Sequence, residues 1–89
     1  MPEIANFYGI IIQLYTYDNR QHHRPHIHVK CSGEKAIVAI DDGFIFESAI
    51  PDSKMKLVQA WIEIHKKELM DDWQLAVSGR KPFKIEPLR

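Results

Sequence analysis

The sequence has a single cysteine, Cys31, and it lacks any long hydrophobic run. One cysteine excludes an internal disulfide, and a secreted domain this small would normally need such bonds to be stable. The longest apolar stretch near the N-terminus, residues 10–12, is far shorter than the ~20 residues that cross a bilayer. The first residues also lack the basic and apolar regions of a signal peptide. These absences predict a cytoplasmic protein with no membrane association.

The chain also lacks an excess of charge of either sign, because twelve basic residues balance twelve acidic ones. A dedicated nucleic-acid-binding domain usually has a clear positive balance, so the overall charge does not indicate one. Only four glycines are present, and they form neither a phosphate-binding loop nor a dinucleotide-binding pattern. Local patterns must therefore indicate the function.

The 89 residues are enough for one domain, which we assign to residues 1–89. The first half alternates apolar and polar residues with the period of two that is typical of β-strands. An Asp42-Gly43 pair between two such runs indicates a type I′ hairpin turn, in which both central residues need positive φ. The pattern predicts a four-stranded antiparallel β-meander, with strands at residues 7–17, 26–32, 35–41 and 44–50.

The second half changes to the spacing of an α-helix. Five residues recur at helical intervals on one face: Val58, Trp61, Ile62, His65 and Leu69. An Asp71-Asp72 pair predicts the N-cap of a second, short helix, and Gly79 predicts its end. The predicted fold class is α+β, with a sheet at 7–50, helices at 53–79 that cover one face of it, and an extended basic tail at 80–89.

The unusual chemistry is confined to residues 18–30, which hold four of the five histidines. His26 and His28 are two residues apart on a predicted strand, so their imidazoles project from the same face. That spacing suits a shared metal ion such as zinc, nickel or copper. The preceding loop offers three candidates for a further ligand: His22, His23 and Asp18. Metal binding is the first interpretation of this segment.

The second interpretation is acid–base chemistry on a phosphodiester. Residues 20–30 contain three cations and no acid, and the cations are Arg20, Arg24 and Lys30. Fixed positive charges oppose a divalent metal ion, but they suit a phosphate and the charge of its transition state. Histidines titrate near neutral pH, so His26 and His28 can act as general base and general acid. Together these groups are the set needed for metal-independent RNA cleavage.

The third interpretation requires no chemistry. Histidines on the open face of a sheet can be solvated, or they can hydrogen-bond a helix or a partner protein. His65 lies on the apolar stripe of the helix, which favours a hydrogen-bonded core residue over a catalytic one, and we keep it as an outside candidate for binding. Cys31 alternates with Val29 onto the face opposite the histidines, which predicts an inert core thiol.

The order of these motifs along the whole chain resembles the small bacterial domain-of-unknown-function family numbered 4160. The matching pattern is Pro2-x-Ile4, Phe7-Tyr8-Gly9-Ile10, Arg24-Pro25-His26-Ile27-His28-Val29, Ala36-x-Val38-x-Ile40, Asp42-Gly43, Leu57-Val58-x-x-Trp61-x-x-x-His65-x-x-Glu68-Leu69, Trp73-x-x-Ala76 and Ile85-x-Pro87-Leu88. Family members commonly carry Pro-Pro-His-aromatic-His-Val. This chain has Arg24 in place of the first proline and Ile27 in place of the aromatic residue.

The resemblance implies a product of a compact two-gene bacterial or phage-borne unit, similar to toxin–antitoxin pairs. The family pattern points to His26, His28, Trp61 and His65, with Tyr8 and Gly9 at the first strand. We therefore expect a component of a toxin–antitoxin-like module that binds a small cognate protein, with RNA as its candidate target and no required cofactor. The alternative is a non-enzymatic metal-binding or protein-interaction module that uses the strand face of His26 and His28. Edge strands of so short a meander also leave a homodimer open.

Overall fold

Five β-strands form one antiparallel sheet in the structure, a computed structural model that describes residues 3–16 and 24–89. Each strand pairs with the next one along the chain, which makes the sheet a meander. The strands are β1 (Glu3–Phe7), β2 (Ile10–Gln13), β3 (His26–Cys31), β4 (Glu34–Ala39) and β5 (Ile45–Ser48). The predicted α+β class and the antiparallel sheet are confirmed, but the described residues form five strands rather than four.

The predicted first strand, residues 7–17, is wrong because the chain reverses direction at Tyr8 and Gly9. Both residues have positive φ, 52° and 76°, as the two central residues of a type I′ hairpin turn do. Residues 3–7 therefore fold back on β2, and Phe7 pairs with Ile10. Gly9 indicates this turn in the sequence. A bulky aromatic residue rarely adopts positive φ, so Tyr8 at the other central position argued against a turn here.

The hairpin predicted at Asp42-Gly43 is present, but its turn type is different. Of that pair only Gly43 has positive φ, at 74°, which excludes a type I′ turn. The Ala39 N–H donates to the Phe44 carbonyl at 2.8 Å, and the Asp42 carboxylate accepts the Phe44 N–H at 2.9 Å. The Asp42 side chain thus supplies a hydrogen bond within a wider connection between β4 and β5.

Two helices, α1 (Asp52–Ile64) and α2 (Lys66–Val77), follow the sheet and are separated by His65 alone. His65 leaves helical geometry, with φ −110° and ψ 22°. Its Nδ1–H donates to Glu68 Oε1 at 2.7 Å, which ties the break to the first turn of α2. The predicted break near Asp71-Asp72 is wrong, because α2 continues through both residues. The break at His65 was missed because the helical spacing of apolar residues continues across it. In the part of the chain that the structure describes, no helix could span a membrane.

The core lies between the helices and one face of the sheet. Alternate strand residues and the apolar residues of both helices are buried in a single cluster that includes Ile10, Ile12, Ile27, Val29, Cys31, Val58, Trp61, Ile62, Leu69 and Trp73. Cys31 is only 6% exposed, as its alternation with Val29 predicts. The residues between these on β2 and β3 project from the opposite face, where Gln13, His28 and Lys30 are half-buried. That second face carries the candidate site.

The C-terminal segment, residues 80–89, contains no helix or strand and is held along the domain by hydrogen bonds. The Ile85 N–H donates to the Ile4 carbonyl at 2.8 Å, and the Trp61 Nε1–H donates to the Glu86 carbonyl at 2.8 Å. The Phe83 N–H donates to Asp72 Oδ1 at 2.9 Å. These contacts fix the backbone of the segment, while the side chains of Lys81, Phe83 and Lys84 remain exposed.

Asp72 lies in the middle of α2 with only 2% of its surface exposed, so the prediction that it caps a helix is wrong. Its Oδ2 has no hydrogen-bond partner among the described residues. Burial is the main factor that raises the pKa of Asp72, and the charges of Asp71 and Glu68 raise it further. The folded state therefore disfavours the ionised form. The resulting loss of stability is absent below the pKa of Asp72 in the unfolded chain, grows as pH rises towards the folded-state pKa and is complete above it.

Replacing Asp72 with asparagine should therefore stabilise the protein at neutral pH. The asparagine oxygen can still accept the Phe83 N–H, while the buried charge is removed. We expect a melting temperature at pH 7 that is a few degrees above that of the wild type, and a gain that shrinks to nothing near pH 3. Asp71→Asn removes one charge from the exposed neighbouring position and should change little. A lower melting temperature for Asp72→Asn at pH 7 would show that the carboxylate is stabilised where it lies.

The two edges of the sheet, β1 and β5, differ in how they are covered. The hydrogen bond from Ile85 to Ile4 covers part of the β1 edge. β5 is four residues long and pairs with β4 through an irregular register between Ile37 and Val38. Short and irregular edges resist pairing with another chain. The homodimer stays a prediction.

Candidate functional site

A groove of about 390 Å³ runs over the sheet face that points away from the core. Its residues come from β3, β4 and β5 and from the segments that follow β2 and β5. They are Tyr15, His28, Val29, Lys30, Lys35, Ala36, Ile37, Glu47, Ser48 and Ala49. The volume is within the range of small-molecule sites, roughly 300–1,000 Å³. We refer to this feature as the sheet groove.

The aromatic part of the sheet groove is a stacked pair, Tyr15 and His28. Their ring centroids are 3.9 Å apart, and the two planes differ by 13°. The alternation that buries Ile12 and Leu14 places Tyr15 on the opposite face, next to β3. Sequence reasoning missed Tyr15 as a site residue, although this period of two was the signal that could have found it.

The charged part of the sheet groove is a pair of lysines. Lys30 of β3 and Lys35 of β4 are directly opposite each other in the strand register. Like charges at opposed positions destabilise an antiparallel pair. No carboxylate within residues 3–16 and 24–89 forms an ion pair with either lysine, and Glu47 is the one acid that lines the groove. A bound anion would offset the repulsion.

His26 is completely buried, whereas His28 on the same strand face is half-buried. Its ring centroid lies 5.2 Å from that of His28 and 5.0 Å from that of Trp73. Its Nδ1 is 2.7 Å from the Arg24 carbonyl oxygen, and since a carbonyl can only accept, Nδ1 carries the hydrogen. In the neutral ring, Nε2 then holds the lone pair. This is the orientation of a metal ligand or a general base, but the ring has no exposed surface.

Arg24 is held by two carboxylates outside the sheet groove. Its guanidinium donates to Asp41 Oδ1 at 2.6 Å and to Asp42 Oδ1 at 2.9 Å. It also lies over the rings of Phe44 and Phe46, 5.7 and 5.6 Å from their centroids. The hydrogen bond to Asp41 is the main cause that raises the pKa of Arg24. The hydrogen bond from the Phe44 N–H, followed by the charge of Arg24, lowers the pKa of Asp42.

Those contacts engage the Arg24 guanidinium, which the sequence analysis assigned to phosphate binding. The structure brings His28 and Lys30 together in the sheet groove and places Arg24 elsewhere. His65 is also elsewhere: it separates the two helices, with its ring centroid 5.5 Å from that of Trp61. Sequence reasoning missed two charged residues of the groove, Lys35 and Glu47. Lys35 comes from β4, which pairs with β3, and Glu47 comes from β5, which pairs with β4, so both reach the groove only through pairings that form on folding.

The proposed loop ligands lie outside the described residues. Arg20, His22, His23 and Asp18 all belong to residues 17–23. Within residues 3–16 and 24–89, no group of three or more histidine, cysteine, aspartate or glutamate side chains could hold a metal ion. Zinc, nickel or copper binding by His26 and His28 with a loop residue stays a prediction.

A comparison with protein families finds a match that covers most of the chain. The family model described as "Domain of unknown function (DUF4160)" matches residues 9–74, which is most of the 89-residue chain. That region spans β2 to β5, α1 and most of α2, and it includes every residue of the sheet groove. No significant match to a curated protein or to a solved structure was found. On the extent of the match, the chain belongs to the DUF4160 family.

Proposed function

We propose that the protein binds single-stranded RNA in the sheet groove, as a component of a toxin–antitoxin-like module. One observation carries the proposal: the stacked pair of Tyr15 and His28 lies beside Lys30 and Lys35. Within residues 3–16 and 24–89, no carboxylate forms an ion pair with either lysine. In such a module, a small cognate protein that covers the groove would be the simplest means of control.

The chemistry of the groove corresponds to the two parts of a nucleotide. Bases splayed out of single-stranded RNA stack on aromatic side chains on the open face of a sheet. Phosphates are neutralised by lysines, whose release of counterions makes the affinity depend on salt. Lys30 and Lys35 are opposed across two strands, so one phosphate between them would relieve their repulsion. The neutral overall charge does not oppose this, because the cations are local.

The geometry favours binding over cleavage. Proton transfer by a histidine pair requires both imidazoles within reach of the reacting atoms. Of the two, His28 lines the groove, whereas His26 has no exposed surface and its Nδ1–H is taken by the Arg24 carbonyl. The Arg24 guanidinium is paired with Asp41 and Asp42. The proposal therefore assigns His28 to base stacking and Lys30 to phosphate contact.

The proposal is tested by titrating a fluorescent single-stranded RNA of mixed sequence into the wild type and into the Lys30→Gln, Lys35→Gln variant. Loss of two phosphate contacts should weaken binding about tenfold or more and should reduce the slope of log affinity against log salt by about 1.4. The matched control is Lys56→Gln, Lys67→Gln, which removes the same charge from exposed helix positions and should bind as the wild type does.

Three outcomes contradict the proposal. One is absence of RNA binding by the wild type, and another is an equal loss of affinity in both lysine variants. The third is tighter binding of DNA of the same sequence, which would contradict RNA as the target. Electrophoresis of the RNA after incubation with the protein, in the presence of a chelator, shows whether the RNA stays intact. Binding without cleavage requires intact RNA.

A further inference from the structure

A second groove, of about 1180 Å³, adjoins the C-terminal segment. It is lined on one side by Leu14, Tyr15 and Thr16, and on the other by residues of the tail and of α2. The tail contributes Arg80, Lys81, Phe83 and Lys84. Tyr15 lines both this groove and the sheet groove, so the two meet at one aromatic residue. We refer to this second feature as the tail groove.

The tail groove combines positive charge with an exposed aromatic ring. Three cations line it, against one acid, Glu3. Phe83 is 71% exposed, the largest exposure among the large hydrophobic side chains of the described residues. Exposing an apolar ring to water is unfavourable. The backbone N–H of Phe83, rather than its ring, donates to Asp72.

The segment that carries these side chains is fixed in place. Hydrogen bonds to Ile4, Trp61 and Asp72 hold its backbone at three points within four residues. A fixed backbone lowers the entropy that a ligand must remove on binding. Cations and an aromatic ring on a fixed backbone, next to an existing stacking pair, are the components of a single-strand track.

We propose that the tail groove is the continuation of the RNA site, so that one single strand passes from the sheet groove over Tyr15 to the tail. This inference rests on the proposed function. Lys81, Lys84 and Arg80 contact phosphates, and Phe83 stacks on a base beyond the one held at Tyr15 and His28. Charge complementarity selects the occupant: the groove is cationic and aromatic, which suits a polyanion that carries flat rings.

The inference predicts that affinity depends on RNA length. A trinucleotide fills the sheet groove alone, whereas an RNA of about nine nucleotides reaches both grooves. In the wild type, we expect the longer RNA to bind at least about tenfold more tightly. Phe83→Ala and the Lys81→Gln, Lys84→Gln variant should each lose about tenfold in affinity for the longer RNA, and both should bind the trinucleotide as the wild type does.

Two controls match these variants. Phe44→Ala removes another exposed phenylalanine, 53% exposed, that lines neither groove, and Lys56→Gln, Lys67→Gln removes two exposed charges from the helices. Both should retain full affinity for the longer RNA. Circular dichroism of each variant checks that the fold is intact.

The results separate this inference from the proposed function. If the wild type binds both RNA lengths equally and the tail variants bind normally, the tail groove is not part of the track, while the sheet groove remains a site. If neither RNA binds, the proposed function fails, and the inference fails with it. Poly-glutamate is titrated as a competitor. If it displaces the longer RNA at equal charge concentration, the tail groove is a general anion surface and the inference is overturned.

Discussion

Trp61→Ala is expected to lower the free energy of unfolding by about 3–5 kcal/mol. The Trp61 side chain is completely buried and lies where three parts of the fold meet. Its ring centroid is 5.4 Å from that of Phe7 in β1, and its Nε1–H donates to the Glu86 carbonyl of the tail. The substitution leaves a cavity and removes the partner of that carbonyl. A domain has roughly 5–15 kcal/mol of stability in total, so a loss of this size is a large share of it.

Urea unfolding followed by circular dichroism measures this loss, and Trp61→Phe serves as the graded comparison. Phenylalanine keeps most of the buried apolar surface but removes the N–H, so we expect a loss of about 1–2 kcal/mol. Similar losses for the two variants would show that the hydrogen bond to Glu86, rather than the packing, is the main contribution of Trp61.

His26→Ala is expected to lower mainly the stability of the protein, and His28→Ala is expected to weaken mainly its RNA binding. His26 is buried, contacts Trp73, and donates to the Arg24 carbonyl. Its removal should cost about 2–4 kcal/mol, because a cavity forms and a carbonyl loses its partner. His28 lines the sheet groove, so its removal should cost less than about 1 kcal/mol and should weaken RNA binding about tenfold through lost stacking.

Melting temperature and RNA affinity, measured on both single variants, test this division. A double His→Ala variant would not, because loss of activity could follow from loss of the fold. His26→Gln retains a donor of similar reach and should recover part of the stability lost in His26→Ala. If His26→Ala melts like the wild type but loses RNA binding, His26 acts directly at the site, and the assignment of the chemistry to His28 alone is wrong.

Much of the fold could be predicted from local pattern, and the errors have physical causes. The period of two identified the strands around His26 and Val38, and the helical spacing identified the apolar face with Trp61. The hairpin at Tyr8-Gly9 was missed because only its glycine follows the usual preference for positive φ. The break at His65 was missed because it leaves the helical spacing intact, so no change of period marks it.

The candidate site was harder to predict than the fold because burial and pairing depend on tertiary contacts. The strand alternation placed His26 and His28 on one face, and their register positions agree with that. It could not show that Trp73 of α2 contacts His26. Nor could the charge count show that Asp41 and Asp42 pair with Arg24, since seventeen residues or more separate them from it. Lys35 joins the site only through its register with Lys30.

The hydrogen bond between Ile4 and Ile85 has a consequence for synthesis of the chain on the ribosome. Each hairpin of the meander can form as soon as its second strand has left the exit tunnel, because neighbouring strands are also neighbours in sequence. The apolar face of that sheet then stays uncovered while α1, α2 and the tail are made, at ~5–20 residues per second. Closure of the β1 edge comes last of all. For a few seconds the nascent protein exposes an apolar sheet, and this is the interval in which chaperones would bind it.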